Sequence, residues 1–518
     1  MFRTIGLVLA LGRAGFVLAR EGVHEFVPIE ELPPGARLLH RLARLIAKPK
    51  QKRGRLNVAL TRLGPNYIKL GQFLATRRDL VGADVAADLE TLQDRLPPFS
   101  DKIARETIAT ALGQPVEDLF DEIGPAIAAA SIAQVHQARI GNEHVAVKVL
   151  RPNIEARFTR DLRVFEGAAR LVERVDPRSK RLKPVAVVET LDRSVRIEMD
   201  LRMEAAAISE MAENIADDPG FRVPSVDWQR SSKRVLTLEW IDGIPIADVE
   251  RLKAAGHDLP HLGQTVIQSF LRHAMRDGYF HADMHPGNLF VDASGDIVAV
   301  DFGIMGRLGP KERRFLAEIL YGFIRQDYLR AARVHFEAGY VPPQHRPEDF
   351  AQALRAIGAP IRDRKARDIS MGRLLTQLFE VTELFDMQTR PELLMLQKTM
   401  VVVEGVGRRL DSDLDMWTTA EPVVSEWMTS DLGPEAFLRS AADGAGLIGR
   451  LARQGPALIE RAERMAQDLS DMGRDGLRLD DETVSKIASA QARTSWQGSA
   501  ALWVIALALA TIAFMMIF

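Results

Sequence analysis

His281-Ala282-Asp283-Met284-His285-Pro286-Gly287-Asn288, followed by the short apolar runs Leu289 to Val291 and Ile297 to Val300 and then by Asp301-Phe302-Gly303, is the stretch on which the reading turns. It sets two carboxylates and an amide at fixed spacing around a hairpin. Phosphoryl transfer asks little covalent chemistry of a protein. It asks for a carboxylate that orients or deprotonates the acceptor, and for oxygen ligands to the magnesium that bridges the phosphates. Asp283 suits the first role; Asn288 and Asp301 suit the second.

An Asp, an Asn five residues on, and a hairpin leading to Asp-Phe-Gly form the spacing of a protein-kinase catalytic loop with its metal-binding loop. Asp-Phe-Gly alone carries almost no information; the ordered set does. The alternative is an ordinary polar turn between strands. His281 and His285 invite a zinc reading, but zinc takes three or four compact ligands, and no further cluster lies nearby in sequence. His281 is expected to brace the loop.

Upstream, Val145-Ala146-Val147-Lys148 ends a β-branched run after a turn at Gly141-Asn142, which predicts a strand. Its lysine can reach the α- and β-phosphates of ATP; the bland alternative is a lysine snorkelling at a strand edge. Before it lies Ala128-Ala129-Ala130-Ser131-Ile132-Ala133-Gln134-Val135-His136. Small residues let backbone N–H groups approach phosphate, although alanine restricts the turn as glycine does not.

These motifs together resemble the UbiB family of atypical kinases, tied to ubiquinone biosynthesis and including mitochondrial members. Lys69-Leu70-Gly71-Gln72 resembles the family's Lys-x-Gly-Gln motif, and Glu198-Met199-Asp200 its Glu-x-Asp motif. The resemblance runs from about residue 60 to about residue 310, with the hydrophobic tail in addition. It implies an α+β, two-lobed kinase-like fold with an N-terminal helical extension, C-terminal helices and a transmembrane tail. It also implies that Glu204 pairs with Lys148, and that Glu239-Trp240-Ile241 is the hinge whose backbone, at Glu239 and Ile241, meets adenine. The backbone from Ala128 through Ala129, Ala130, Ser131, Ile132, Ala133 and Gln134 to Val135 would face phosphate. The extension would fold over the site, with Lys69 meeting Glu198 or Asp200 and Gln72 beside it. Lys69 on its own reads as a plain surface lysine.

The expected organisation is a helical extension over 1–110, a nucleotide-binding lobe over 111–242, a helical lobe with both loops over 243–430, a peripheral helical segment over 431–498, and a membrane helix over 499–518. Residues 184–216 read as one long helix, 278–308 as a loop with short strands, and 312–340 and 372–410 as helical. No Ala-Pro-Glu follows Asp-Phe-Gly, so a peptide-docking platform is not expected.

Composition sets the remaining bounds. The 518 residues are 47% hydrophobic and 27% charged, as in a folded protein. A net charge of −2 gives no field for nucleic acid. With no cysteine, disulfides, thiolate nucleophiles and cysteine-ligated metals are excluded. Between Glu31 and Asp79 no acidic residue occurs, whereas Arg37, Arg41, Arg44, Lys48 and Lys50 do; such a stretch either lies on anionic lipid or is a solvated helix face. Ile5 to Ala19, interrupted by Arg13, reads as an amphipathic surface helix. Ser499 to Phe518 is uncharged and just long enough for a span of roughly 20 apolar residues. Lys486 and Arg493 precede it, which predicts a body on the cytoplasmic side of the inner membrane. The other reading is a buried C-terminal helix or a dimer contact.

Three functions follow for test: a Mg2+-dependent, ATP-consuming kinase or ATPase acting on a small or lipid-like substrate such as an isoprenoid quinone intermediate; a nucleotide-gated scaffold for other ubiquinone-biosynthesis enzymes; and a soluble small-molecule kinase of the aminoglycoside type. The Lys69 and Glu198 motifs and the tail oppose the third.

Overall fold

The computed structural model describes residues 2–26, 44–47, 55–75, 81–89, 91–92, 96–175, 183–362, 381, 384–387 and 391–431. The chain divides into two units, Phe16–Thr429 and a second formed by Met1–Gly15 with Ser430–Phe518. Only 2–15 and 430–431 of the second unit are described. The peripheral segment and the membrane tail expected over 432–518 therefore lie outside the described residues. Among the described residues, no helix is long and apolar enough to cross a membrane.

In chain order, α1 (Phe2–Arg20), α2 (Leu56–Leu63), α3 (Pro65–Ala75), α4 (Ala83–Leu89), α5 (Asp101–Leu112) and the single turn α6 (Val116–Leu119) precede the first sheet. Helix α5 starts where Ser100 accepts from the N–H of Ile103, and ends at Gly113 in the left-handed region. Between α4 and α5 the chain carries Pro97-Pro98, the expected break.

Strands β1 (Glu122–Ala129), β2 (Ala133–Ile140), β3 (Glu143–Leu150) and β5 (Val235–Glu239) form an antiparallel sheet in the order β1-β2-β3-β5. The β2–β3 turn falls at Gly141, whose φ of 60° suits glycine. Strand periodicity then sorts β3. Val145, Val147 and Val149 enter a core with Ile108 of α5 and Val235 of β5, so Lys148 leaves the opposite face.

Helices α7 (Ile154–Val175), α8 (Pro184–Glu198) and α9 (Leu201–Asn214) follow β3. The single helix expected over 184–216 is two helices. The helix ends at Glu198, and Asp200 restarts it by accepting from the N–H of Arg202, while the N–H of Leu201 bonds to Lys233 O. An N-cap aspartate competes with helix continuation because its side chain replaces the missing carbonyl acceptor.

A second sheet holds β4 (Phe221–Arg222), β9 (Ile297–Ala299), β8 (Leu289–Asp292) and β6 (Gly243–Pro245) in that order. Helices α10 (Val249–Ala254) and α11 (Leu259–Arg272) come next, and α11 runs into a π-helical turn, His273–Asp277. Strands β7 (Tyr279–His281) and β10 (Met305–Arg307) pair with each other across the intervening loops. A Cβ on Gly306 would collide with the Phe280 ring, so only glycine lets these two strands approach. Helices α12 (Pro310–Ile324), α13 (Tyr328–Glu337), α14 (Pro347–Arg362), α15 (Pro391–Leu410) and α16 (Met416–Asp431) complete the described chain. Of the helix expected over 372–410, α15 accounts for Pro391–Leu410, residues 385–387 are not helical, and most of 372–390 lies outside the described residues.

Candidate active site

Lys148 is the centre. Its Nζ lies 2.8 and 2.9 Å from the two carboxylate oxygens of Glu204 and 2.9 Å from Asp301 Oδ1. The Lys148 and Glu204 side chains are 16% and 8% exposed, whereas Asp301 is 54% exposed. Burial works against the ammonium, but Asp301 and Glu204 outweigh it and hold Lys148 charged, well above the usual lysine range. Burial raises the Glu204 carboxyl, against the pull of Lys148. The Lys148 charge does the reverse for Asp301, bringing it down to about 2. Asp301 therefore offers an ionised, half-exposed carboxylate beside a fixed cation. Its φ of 63° is left-handed, a conformation that costs a non-glycine residue energy and that folds retain chiefly where a side chain must be aimed.

The hairpin brings the other groups alongside. Leu289 opposes Ala299 in the β8–β9 ladder, and the N–H of Val300 donates to Asn288 O at 2.8 Å, so Asn288 and Asp301 flank one hairpin mouth. Asn288 Nδ2 donates to Asp283 O at 3.0 Å. With Nδ2 so committed, Oδ1 is the atom Asn288 can present to a cation. His281 accepts from the N–H of Asp283 at Nδ1 (3.1 Å), and its Nε2 lies 3.2 Å from Val300 O. Burial keeps this imidazole neutral, which suits one accepting and one donating nitrogen. Phe302 packs edge-on against it at 4.9 Å. His281 thus braces the loop, while His285 accepts from the N–H of Gly287. Among the described residues no group of three or more metal-ligating side chains forms a dedicated cation cage. A site that keeps its cation on substrate phosphates needs none.

The alanine-rich stretch ends β1 at Ala129, bends through 130–132 and opens β2 at Ala133, and it is pinned. Ala130 N–H bonds to Ala133 O, and Leu96 N–H to Ala129 O. Arg151 Nε donates to Ala130 O at 2.9 Å and its NH2 group to Pro97 O at 3.0 Å. Gln134 is fully buried, accepting from Phe99 N–H at 2.9 Å and touching His136. Ser131, Ile132 and Ala133 are buried as well, and Val135 pairs with both Ala128 and Lys148. Between Ala128 and Gln134 only Ala128, Ala129 and Ala130 are not buried; the buried side chains of Ser131 and Gln134 serve the scaffold. The sequence reading missed Arg151 and Phe99, whose long-range contacts leave no local pattern.

From the extension, α3 is fastened by Asn66 Nδ2 to Asp161 Oδ2 (2.5 Å) and by Tyr67 edge-on to Phe165. Gly71 lets the helix pack closely there: a Cβ would push aside the side-chain ends of Leu60 and Leu92. Lys69 pairs with Glu198, and its charge also helps hold Asp301 ionised. Asp200 instead holds Arg202 at 2.6 and 2.9 Å, which lowers its carboxyl. Gln72 is half-buried one turn on from Lys69. The break at Met199-Asp200 is what lets Glu198 face Lys69 while Glu204 faces Lys148. Glu239 and Ile241 flank the connection from β5 in the first sheet to β6 in the second. The Glu239 carboxylate itself is held by Arg222 at 2.8 Å and by Ser225 N–H, and its own N–H donates to Ser225 O at 2.9 Å, so only its carbonyl suits a base.

Residues 91–335 match the ABC1 atypical kinase-like domain, and residues 354–415 the UbiB helical domain. The protein described as probable protein kinase UbiB of Marinobacter nauticus is 42% identical over 470 residues, covering 89% of this chain and 84% of the relative. The chain belongs to the UbiB family. Its UbiB relative from Aeromonas hydrophila subsp. hydrophila is 38% identical over 87% of this chain and 84% of its own length. The UbiB assignment thus spans the cleft residues and the helices beyond them. A solved structure, the complex of Rv3197 with erythromycin from Mycobacterium tuberculosis, covers 75% of this chain and 97% of its own at 22% identity and a TM-score of 0.49. At that score the likeness adds nothing to the assignment.

Proposed function

We propose that this UbiB-family chain binds Mg-ATP in the cleft around Lys148 and consumes it as an atypical kinase or ATPase that supports ubiquinone biosynthesis. The observation that carries the reading is Lys148 held between buried Glu204 and half-exposed, ionised Asp301. Glu204 fixes the ammonium where it can meet the α- and β-phosphates. Asp301 and Asn288 Oδ1 would hold the cation, and the Ala128–Ala130 backbone would face phosphate. The Glu239 and Ile241 backbone would meet adenine. Bound magnesium supplies charge neutralisation across the phosphates. Asp283 would orient or deprotonate the acceptor hydroxyl, and the Lys69–Glu198 pair narrows the site toward small or lipid-like acceptors. The names of the relatives support the kinase class, and the link to ubiquinone rests on the family alone.

Purified full-length chain in vesicles of neutral and anionic phospholipid should hydrolyse ATP with magnesium. Asp283→Asn should slow turnover by about a hundredfold or more, the range of a lost general base. Equal turnover in both proteins would remove the catalytic assignment of Asp283, and no turnover in the parent would leave a nucleotide-gated scaffold as the better reading.

The same proposal puts the body on the cytoplasmic face of the inner membrane, held by Ser499–Phe518. Full-length protein should sediment with membranes, and truncation before Ser499 should release most of it. A fully soluble full-length protein would refute the anchor.

A further inference from the structure

The peptide unit joining Ala282 to Asp283 is gripped at both ends. Its N–H donates to His281 Nδ1 at 3.1 Å. Its carbonyl, Ala282 O, accepts from Thr399 Oγ1 at 2.9 Å, across 117 residues of sequence. Thr399 is 1% exposed and Ala282 3%. Because a peptide is planar, two anchors on opposite edges of it fix its rotation, and that rotation sets where the Asp283 Cα and carboxylate leave the chain. Asn288 Nδ2 then fixes the next carbonyl, Asp283 O. Two of these three anchors, His281 and Asn288, belong to the catalytic-loop motif. Thr399 does not: it sits on α15, within the stretch matched to the helical domain.

A threonine inside a helix usually spends its hydroxyl on the carbonyl four residues back, and Thr399 does lie 2.9 Å from Met395 O. The helix needs no such bond, since that carbonyl already faces a ladder N–H. One hydroxyl proton is shared between the two carbonyls. Neighbouring Leu396, Val403 and Val406 bury the same face of α15 in the main core, so the hydroxyl is held in place and water is excluded.

We infer that Thr399 is a positioning residue for Asp283, through which the helical domain sets the geometry of the catalytic loop. The inference rests on Asp283 being the acceptor-orienting carboxylate. It deepens that reading by making α15 part of the machinery.

The test uses the full-length chain in vesicles with Mg-ATP. Thr399→Val keeps the shape and removes the donor; Thr399→Ser keeps the donor. Thr399→Val should lower kcat about tenfold, the scale of one buried hydrogen bond. Its Kd for a non-hydrolysable ATP analogue should stay within about twofold and its melting temperature near that of the parent. Thr399→Ser should recover kcat to within about threefold. Adding Thr399→Val to Asp283→Asn should cost nothing further, since both act on one group. Hydrogen exchange of residues 281–288 should speed about tenfold in Thr399→Val. Retained kcat and retained protection in Thr399→Val would overturn the inference. So would equal losses in Val and Ser variants, or parallel falls in kcat, nucleotide affinity and melting temperature. If Asp283→Asn proves fully active, the proposed catalysis fails instead, and the exchange measurement alone decides whether Thr399 holds the loop.

Discussion

Asp301→Asn is expected to reduce magnesium-dependent ATP turnover by about a thousandfold, on the scale of removing a preorganised charge from an active site. The substitution is unusually clean here. Asn is one of the few residues that accepts the left-handed backbone of position 301, so φ near 63° is kept, where alanine would pay for it in strain. The shape is kept as well, and Lys148 retains Glu204 as partner at 2.8 and 2.9 Å. What is lost is the negative charge that Lys148 holds ionised down to about pH 2. The fold should therefore survive, with a melting temperature within a few degrees of the parent, while the affinity for magnesium in the presence of nucleotide falls with turnover. A variant that bound Mg-ATP and turned it over like the parent would remove Asp301 from the site.

That charge was readable in the sequence because its spacing to Asp283 and Asn288 is local: one loop and one hairpin carry all three. Lys148 was readable for the same reason, as the polar position in an alternating apolar strand. Glu204 was different. Nothing local marks it among the glutamates of 184–216, and only the family resemblance paired it with Lys148. The reading of that stretch as one helix failed at a single residue, Asp200, where an N-cap aspartate without proline or glycine leaves a faint signal. Strands β7 and β10 are three residues each, too short for alternation to show, so they read as loop. Arg151 on Ala130 O and Thr399 on Ala282 O were invisible, because a side chain reaching a backbone carbonyl across the fold depends on no residue type at the far end. Residues inside the local motifs were legible; the long-range bonds to backbone carbonyls that support them were not.

Lys148→Met should be both inactive and destabilised, and the two losses should separate. Removing one member of a buried ion pair leaves the other uncompensated, which costs about 3–5 kcal/mol, a large share of an ordinary domain's stability. Glu204 is that other member, 8% exposed and already raised by burial. Without Lys148 it should be raised further. A carboxyl whose folded value exceeds its unfolded value stabilises the fold below the unfolded value and loses that contribution as pH rises through the folded one. Lys148→Met should thus be closest to the parent in mildly acid solution and fall behind it toward neutral pH and above, measured by denaturant midpoint at each pH. Adding Glu204→Gln should recover most of the stability and flatten that pH dependence, because neither member of the pair then carries a charge. It should recover no turnover, because the phosphate-facing cation is still missing. If Lys148→Met alone matched the parent in stability across this range, the burial of the pair would be refuted. If the double variant regained turnover, the pair would be a piece of scaffold, and the cleft would have to find its cation elsewhere.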